Sequence, residues 1–116
     1  MQPIIRSYGF GRIVVGDKAF TRDIIILPDK IISDWWRKEG HRLQLDDLGE
    51  AGRVDADAVV IGTGYYGLMR VDDEVVEYFR NKGLEVYIDE TGKAVEKYNE
   101  LVKQGKRVIA LFHLTC

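Results

Sequence analysis

The sequence predicts an α/β fold in which an antiparallel β part comes first and a sheet covered by helices follows. Two observations lead to this prediction. Residues 4–27 contain three short apolar runs separated by glycine-containing turns, which is the spacing of hairpins or a meander. Residues 58–113 alternate strand-like apolar runs with amphipathic helical segments, and this order is typical of α/β layering. We therefore expect the helices to cover the sheet formed by the second half of the chain.

The totals predict one soluble domain spanning residues 1–116. The hydrophobic content is 46% and the charged content 31%, which is ordinary for a globular protein. A net charge of −2 does not provide the clustered positive charge that nucleic-acid binding requires. The sequence has no long apolar run and no recognisable targeting segment, so we expect no membrane association and a cytoplasmic location. A lone cysteine, Cys116, fits a reducing compartment, and we expect it to be a plain structural residue.

The first half predicts three strands, at residues 4–8, 12–15 and 23–27. The third is apolar on both faces, so we expect it to be covered on both sides, and Pro28 ends it by removing a hydrogen-bond donor. The intervals 9–11 and 16–19 are expected to be turns. Residues 43–52 predict a brief helix.

The second half begins with a continuous apolar run at residues 58–61, which predicts a buried strand in a parallel or mixed sheet. A helix should follow with Asp72 as its N-cap and Gly83 as its left-handed end. A strand at residues 84–88 comes next.

The last helix should be capped by Thr91 and ended by Gly105, and residues 107–113 should form the final strand. Its apolar residues recur at intervals of three and four and should cover one face: Ala94, Val95, Tyr98, Leu101 and Val102.

The glycines at positions 62, 64 and 67 have the G-x-G-x-x-G spacing of a dinucleotide-binding loop. In such loops the helix begins inside the glycine turn and directs its amides at the pyrophosphate. Here the helix is expected to start at Asp72, with Asp73 and Glu74 in its first turn, and acidic side chains there disfavour a phosphate. We therefore predict no dinucleotide cofactor. The loop is expected to present Thr63 at the carboxyl edge of the sheet, where α/β proteins bind small molecules.

Two further groups of residues are candidate sites. His113 and Cys116 point to opposite faces of a regular strand, and adding His41 gives no metal-ligand spacing, so we expect no metal site. The run Trp35-Trp36-Arg37 has two interpretations. Both tryptophans could cover the end of the sheet, or the run could form an aromatic and guanidinium surface for a protein or an anion.

Several segments together resemble a known family: SYGFGRIVV, RDIIILPDKI, WWR, VVIGTG and a last third that contains T-x-x-A-x-x-x-Y-N-x-L followed by H-x-T-C. The family consists of small single-domain proteins. It has archaeal and bacterial members of unassigned function, an animal adipogenesis-associated protein and a mitochondrial assembly factor for respiratory complex I. The resemblance implies a three-layer α/β fold with a central mixed sheet flanked by helices and a small antiparallel β element at the N-terminal side. It supplies no catalytic residues and no cofactor.

The leading hypothesis is a non-enzymatic protein-interaction or assembly module that binds another protein or forms a homodimer. The alternative is an enzyme or binding protein for a small anionic metabolite, which would use the sheet-edge loop after Gly62 together with Arg37 and His113. The candidate ligand or partner surface consists of the residues that match the family pattern near loop edges: Trp36, Arg37, Thr63, Gly64, Thr91, Asn99 and His113.

Overall fold

The structure is a computed structural model that describes all 116 residues, Met1–Cys116. It contains ten strands, two α-helices and two short 3-10 helices. The strands are β1 (Ile5–Gly9), β2 (Arg12–Val15), β3 (Lys18–Phe20), β4 (Ile24–Ile26), β5 (Ile31–Ile32), β6 (Arg42–Leu43), β7 (Ala58–Thr63), β8 (Arg70–Val71), β9 (Glu85–Asp89) and β10 (Val108–His113). The α-helices are α1 (Asp73–Asn81) and α2 (Thr91–Lys103), and the 3-10 helices are Leu45–Asp47 and Gly49–Gly52.

The main sheet has the strand order β5-β4-β10-β7-β9. Strands β10, β7 and β9 are parallel, whereas β4 is antiparallel to β10 and β5 is antiparallel to β4. The sheet is therefore mixed, as expected. Every residue of β7 and β10 is buried, which fits the continuous apolar runs with which both strands begin. The carboxyl ends of the three parallel strands and the start of β4 share one edge of the sheet.

Two apolar clusters lie on the two faces of this sheet and give the fold its three layers. Val60, Ala110 and Phe112 belong to the cluster that includes the apolar stripe of α2. Val59 and Ile109 belong to the opposite cluster, which includes Val75 and Phe79 of α1. The alternation of strand side chains between the two faces produces this division.

The small antiparallel sheet, β1-β2-β3, packs against α2 at the N-terminal side, and this confirms the extra β element. Asn99 on α2 donates a hydrogen bond to the Ile5 carbonyl and accepts one from the Ile5 amide, both at 2.9 Å. The hydroxyl of Tyr98 donates to the Pro3 carbonyl at 2.8 Å. These bonds fix the first strand to the second helix.

Several local predictions were wrong. Residues 43–52 form the end of β6 and two 3-10 helices rather than one helix, and the interval expected to be the turn 16–19 contains the start of β3. Asp72 is the N-cap residue of α1, but its carboxylate binds two Arg42 nitrogens, each at 2.9 Å, instead of the helix amides. Glu90, not Thr91, occupies the N-cap position of α2. At Asp72 and Thr91, a distant partner binds the side chain that local capping would have used.

Candidate functional site

The carboxyl edge of the sheet brings together residues that are far apart in sequence. His113 ends β10, and Asp23 directly precedes β4, whose Ile24 is paired with Phe112. This register places Asp23 beside His113. Arg37 reaches the same point from the loop between β5 and β6, and the carboxylate of Asp47 holds that loop by accepting from the Lys38 amide at 3.0 Å.

Asp23 is the centre of this group. Its Oδ2 lies 2.7 Å from His113 Nδ1 and accepts from Arg37 Nη2 at 2.8 Å, while its Oδ1 accepts from the Leu114 amide at 2.7 Å. Burial raises the pKa of Asp23, but the hydrogen bonds from His113, Leu114 and Arg37 more than offset it, so the pKa lies below its ordinary value. The carboxylate is therefore charged and its oxygens are engaged within the chain.

The hydrogen-bond count assigns the proton on His113. Arg37 Nη2 carries two hydrogens, and it donates to Asp23 Oδ2 and to the Gly40 carbonyl at 2.9 Å. Nη2 therefore has no hydrogen for His113 Nδ1, although the two nitrogens are 3.1 Å apart. Nδ1 must itself carry a proton and donate it to Asp23. We assign this tautomer from the network.

The two tryptophans have different environments. Trp35 is buried and donates from Nε1 to the Asp47 carbonyl at 3.0 Å. The guanidinium carbon of Arg37 lies 4.7 Å from the centroid of its ring. Trp36 is largely exposed, with the guanidinium carbon of Arg22 5.7 Å from its ring. Only Trp35 is covered by the protein, and Trp36 is free to contact another molecule.

A cavity of about 290 Å³ opens at this point. Its walls include Arg37 and His113, together with both tryptophans and Thr115. The side chains of Arg37 and His113 are only 4% and 7% exposed, yet Arg37 Nη1 and His113 Nε2 have no hydrogen-bond partner. No three His, Cys, Asp or Glu side chains lie close enough together to hold a metal ion.

Four amides of the glycine loop donate hydrogen bonds within the chain. The Gly64 amide donates to the Thr91 hydroxyl at 2.8 Å, and the Tyr65 and Leu68 amides donate to main-chain oxygens of Thr115 and Cys116 at 2.6 and 3.0 Å. The Gly67 amide donates to the Gly64 carbonyl at 3.2 Å. The main-chain oxygens of Thr115 and Cys116 thus accept hydrogen bonds that such a loop would otherwise donate to a phosphate.

The candidate surface residues fall into three groups. Trp36, Arg37 and His113 line the cavity. Thr63, Gly64 and Thr91 lie on the neighbouring strand end and loop, where the Thr63 hydroxyl donates to the Asp89 carbonyl at 3.1 Å and the Thr91 hydroxyl donates to the His113 carbonyl at 2.6 Å. Asn99 lies apart from them, against β1.

Sequence reasoning missed Asp23 as a site residue, because it was included in the third predicted strand. A charged residue at the start of an otherwise apolar, doubly covered run was the available signal.

Aromatic side chains form a second feature beside residues 114–116. Tyr8, Phe10, Tyr65 and Tyr66, called the aromatic cluster below, are joined by ring contacts with centroids 5.1 to 6.2 Å apart. The hydroxyl of Tyr8 donates to the Leu114 carbonyl at 2.9 Å, and burial raises the pKa of Tyr8 to about 12. Phe10, Tyr65 and Tyr66 are 54%, 46% and 66% exposed.

Neither α-helix has the length and apolar character needed to cross a membrane.

Solved structures of the same fold come from several organisms. PH1505, a conserved hypothetical protein from Pyrococcus horikoshii, is 28% identical, with a TM-score of 0.79 over 97% of this chain and 98% of that chain. A protein called MT938 is 24% identical, with a TM-score of 0.81 over 98% and 99% of the two chains. A Mth938-like domain from Bordetella pertussis, solved in solution by NMR, is 20% identical, with a TM-score of 0.70 over 97% and 85%. The latter two likenesses concern the fold alone.

The family comparison extends the similarity to the sequence. The family model described as "Protein of unknown function (DUF498/DUF598)" matches residues 5–113, which run from the start of β1 to the end of β10. The match includes Asp23, Arg37 and His113 as well as the aromatic cluster. The chain belongs to the DUF498/DUF598 family.

Proposed function

We propose that this protein is a non-enzymatic interaction module that binds another protein through its aromatic cluster. The observation that carries the proposal is that Phe10, Tyr65 and Tyr66 are about half exposed or more while their rings contact one another edge to face. Exposed aromatic groups of this kind are enriched in the centres of protein interfaces. Because the rings already support each other, a partner would immobilise few additional side chains on binding.

The main chain below the cluster makes this surface rigid. The Gly11 amide and the Tyr8 hydroxyl both donate to the Leu114 carbonyl, at 2.9 Å each. The Tyr65 amide donates to the next carbonyl, that of Thr115. The β1–β2 turn, the glycine loop and residues 114–116 therefore form one supporting platform, and such preorganisation favours binding.

We further propose that the module acts in the cytoplasm. Cys116 is a free cysteine, which suits a reducing compartment. The partner can be a different protein or a second copy of this chain, since two-fold dimers are the commonest assemblies of soluble proteins.

The test compares the wild type with a Phe10→Ala/Tyr66→Ala double variant. Each protein is tagged and used to capture partners from the native host, and a captured protein is then purified and its Kd measured by calorimetry. We expect the double variant to weaken binding by at least about thirtyfold, since the loss of a single aromatic hot spot costs about 2 kcal/mol. If the partner is a second copy, analytical ultracentrifugation should show a wild-type dimer and a monomeric double variant.

Ile88→Ala is the matched control, because Ile88 is an exposed apolar residue on the edge strand β9. The control should bind as the wild type does. Equal binding by the wild type and the double variant, or no reconstituted complex of either kind, would contradict the proposal.

A further inference from the structure

The protein has two buried side-chain polar atoms without a hydrogen-bond partner, Arg37 Nη1 and His113 Nε2. Both belong to residues that line the same cavity. Buried polar atoms in native proteins are nearly always hydrogen-bonded, to the protein or to a bound molecule. Both exceptions thus belong to one cavity, where a bound molecule with suitable polar atoms would satisfy them.

The rest of the network is complete. Arg37 Nε donates to the Gly40 carbonyl at 3.2 Å, and both hydrogens of Nη2 are used by Asp23 and Gly40. Nη1 therefore holds the free donors of the guanidinium. The face of the Trp35 ring stabilises the positive charge of Arg37, but it does not replace a hydrogen-bond acceptor for Nη1.

The free donors select an anionic oxygen over a cation. Asp23 is the acidic side chain in the cavity wall, and both of its oxygens already accept hydrogen bonds. A cation would find no free carboxylate there, whereas Arg37 can donate to an oxyanion in a charge-assisted hydrogen bond. The wall adds Arg22 and the hydroxyl-bearing residues Thr21 and Thr115.

We propose that this cavity binds the carboxylate of a small organic acid, with Arg37 Nη1 donating to one oxygen and His113 Nε2 facing the other. The exposed ring of Trp36 lies in the cavity wall and can pack against the remainder of the acid. The inference does not depend on the protein-interaction proposal, since it uses the cavity and not the aromatic cluster.

The contact with His113 requires a proton. Nδ1 already donates to Asp23, so Nε2 of the neutral ring is an acceptor, and a carboxylate oxygen is an acceptor too. In the complex a proton must therefore lie between Nε2 and the carboxylate oxygen. The charged and titratable groups around His113 are Asp23 from the segment before β4, and Arg37 and His41 from the loop after β5.

The first experiment uses the wild-type protein. Acetate and benzoate are titrated while the imidazole signals of the two histidines are followed by NMR, with acetamide and benzamide as uncharged controls. We expect saturable shifts of the His113 signals with at least one carboxylate and none with the matching amide.

Two variants test the assigned contacts. Arg37→Lys removes the forked guanidinium, and His113→Asn retains a donor for Asp23 but lacks Nε2. We expect each to weaken carboxylate binding about tenfold or more, as for the loss of a charge-assisted hydrogen bond. Asp29→Asn, on an exposed turn outside the cavity, should bind as the wild type does.

The wild-type titration decides the matter even if a variant fails to fold. An absence of saturable shifts with both carboxylates up to millimolar concentration would overturn the inference. Equal binding of carboxylates and amides would also overturn it, because the cavity would then recognise no charge. Undiminished binding by a folded Arg37→Lys protein would remove the assigned contact and the inference with it.

Discussion

The carboxylate of Asp23 accepts hydrogen bonds from three groups that come from two different segments of the chain. These are the Arg37 guanidinium, the His113 ring and the Leu114 amide. Removing a charged carboxylate from water is costly unless donors replace the lost hydration. At Asp23 they do, and so this one residue fixes both the position of Arg37 and the tautomer of His113.

The depressed pKa of Asp23 makes acid stability a test of this network. Because the pKa in the folded protein lies below the unfolded value of about 3.9, the stabilisation is present above that pH and is lost as pH falls through the folded-state pKa. We expect Asp23→Asn to lower the free energy of unfolding at neutral pH, and the difference from the wild type to shrink below about pH 4. Urea unfolding at a series of pH values measures this.

Asp29→Asn is the control for that experiment, because Asp29 is exposed and makes no ion pair. The free energy of unfolding of Asp29→Asn should stay close to that of the wild type at every pH. If the difference in the free energy of unfolding between Asp23→Asn and the wild type did not change with pH, the charge of Asp23 would contribute nothing to the network.

The sequence alone indicated two of the three residues in this network. Arg37 was notable beside two tryptophans, and His113 as a polar residue ending an apolar strand. Their partnership with Asp23 could not be predicted, because the three residues are separated by 14, 76 and 90 positions. It depends on β4 and β10 being neighbours, and no local pattern specifies that order.

At the scale of elements, prediction succeeded where a pattern was long enough to be periodic. The bounds of β2 are as expected, and α2 has the predicted apolar face. The missed strands β3, β5, β6 and β8 contain two or three residues each. Segments so short have no period of their own and exist because a neighbouring strand pairs with them.

The glycine loop approaches residues 114–116 so closely that position 64 must be glycine. A side chain at this position would overlap the main chain of Cys116, and the φ angle of 111° is unfavourable for other residues. We expect Gly64→Ala to lower the free energy of unfolding by about 3 kcal/mol or more and to expose the Tyr65 and Leu68 amides. Denaturant unfolding and amide hydrogen exchange measure the two effects.

Gly83→Ala separates the steric cause from the conformational one. Gly83 also has a positive φ, of 88°, but nothing lies within 4 Å of an added methyl group. The Gly83→Ala substitution should therefore lower the free energy of unfolding by only about 1 kcal/mol. If both variants lost the same stability, close packing against Cys116 would not be the reason for glycine at position 64.

At the scale of the whole molecule, the fold is a three-layer body with a small sheet fastened to one side. The fastening is partly apolar, through Ile5, Ile13 and Val15 in the α2-side cluster. It is partly polar, through the pair of hydrogen bonds between Asn99 and Ile5. The small sheet in turn carries Tyr8 and Phe10 of the aromatic cluster, so its attachment positions the proposed interface.

Asn99→Ala should loosen this attachment without unfolding the main sheet. The amide and carbonyl of Ile5 would lose their side-chain partners, which costs about 1–3 kcal/mol for groups removed from water. We expect faster hydrogen exchange of the β1 and β2 amides and little change in β7 and β10. Glu96→Ala, an exposed change on the same helix, should leave all of these rates unaltered. Unchanged exchange at Ile5 in the Asn99 variant would contradict this role.

The position of β10 affects the order in which the protein can fold during synthesis. This strand lies between β4 and β7, yet it is made after both of them. Until residues 108–113 have left the ribosome, two apolar strands present open edges to each other and to other chains, and such edges promote aggregation. The main sheet therefore cannot be completed until β10 is available, and a nascent chain halted before that point leaves both open edges exposed to other chains.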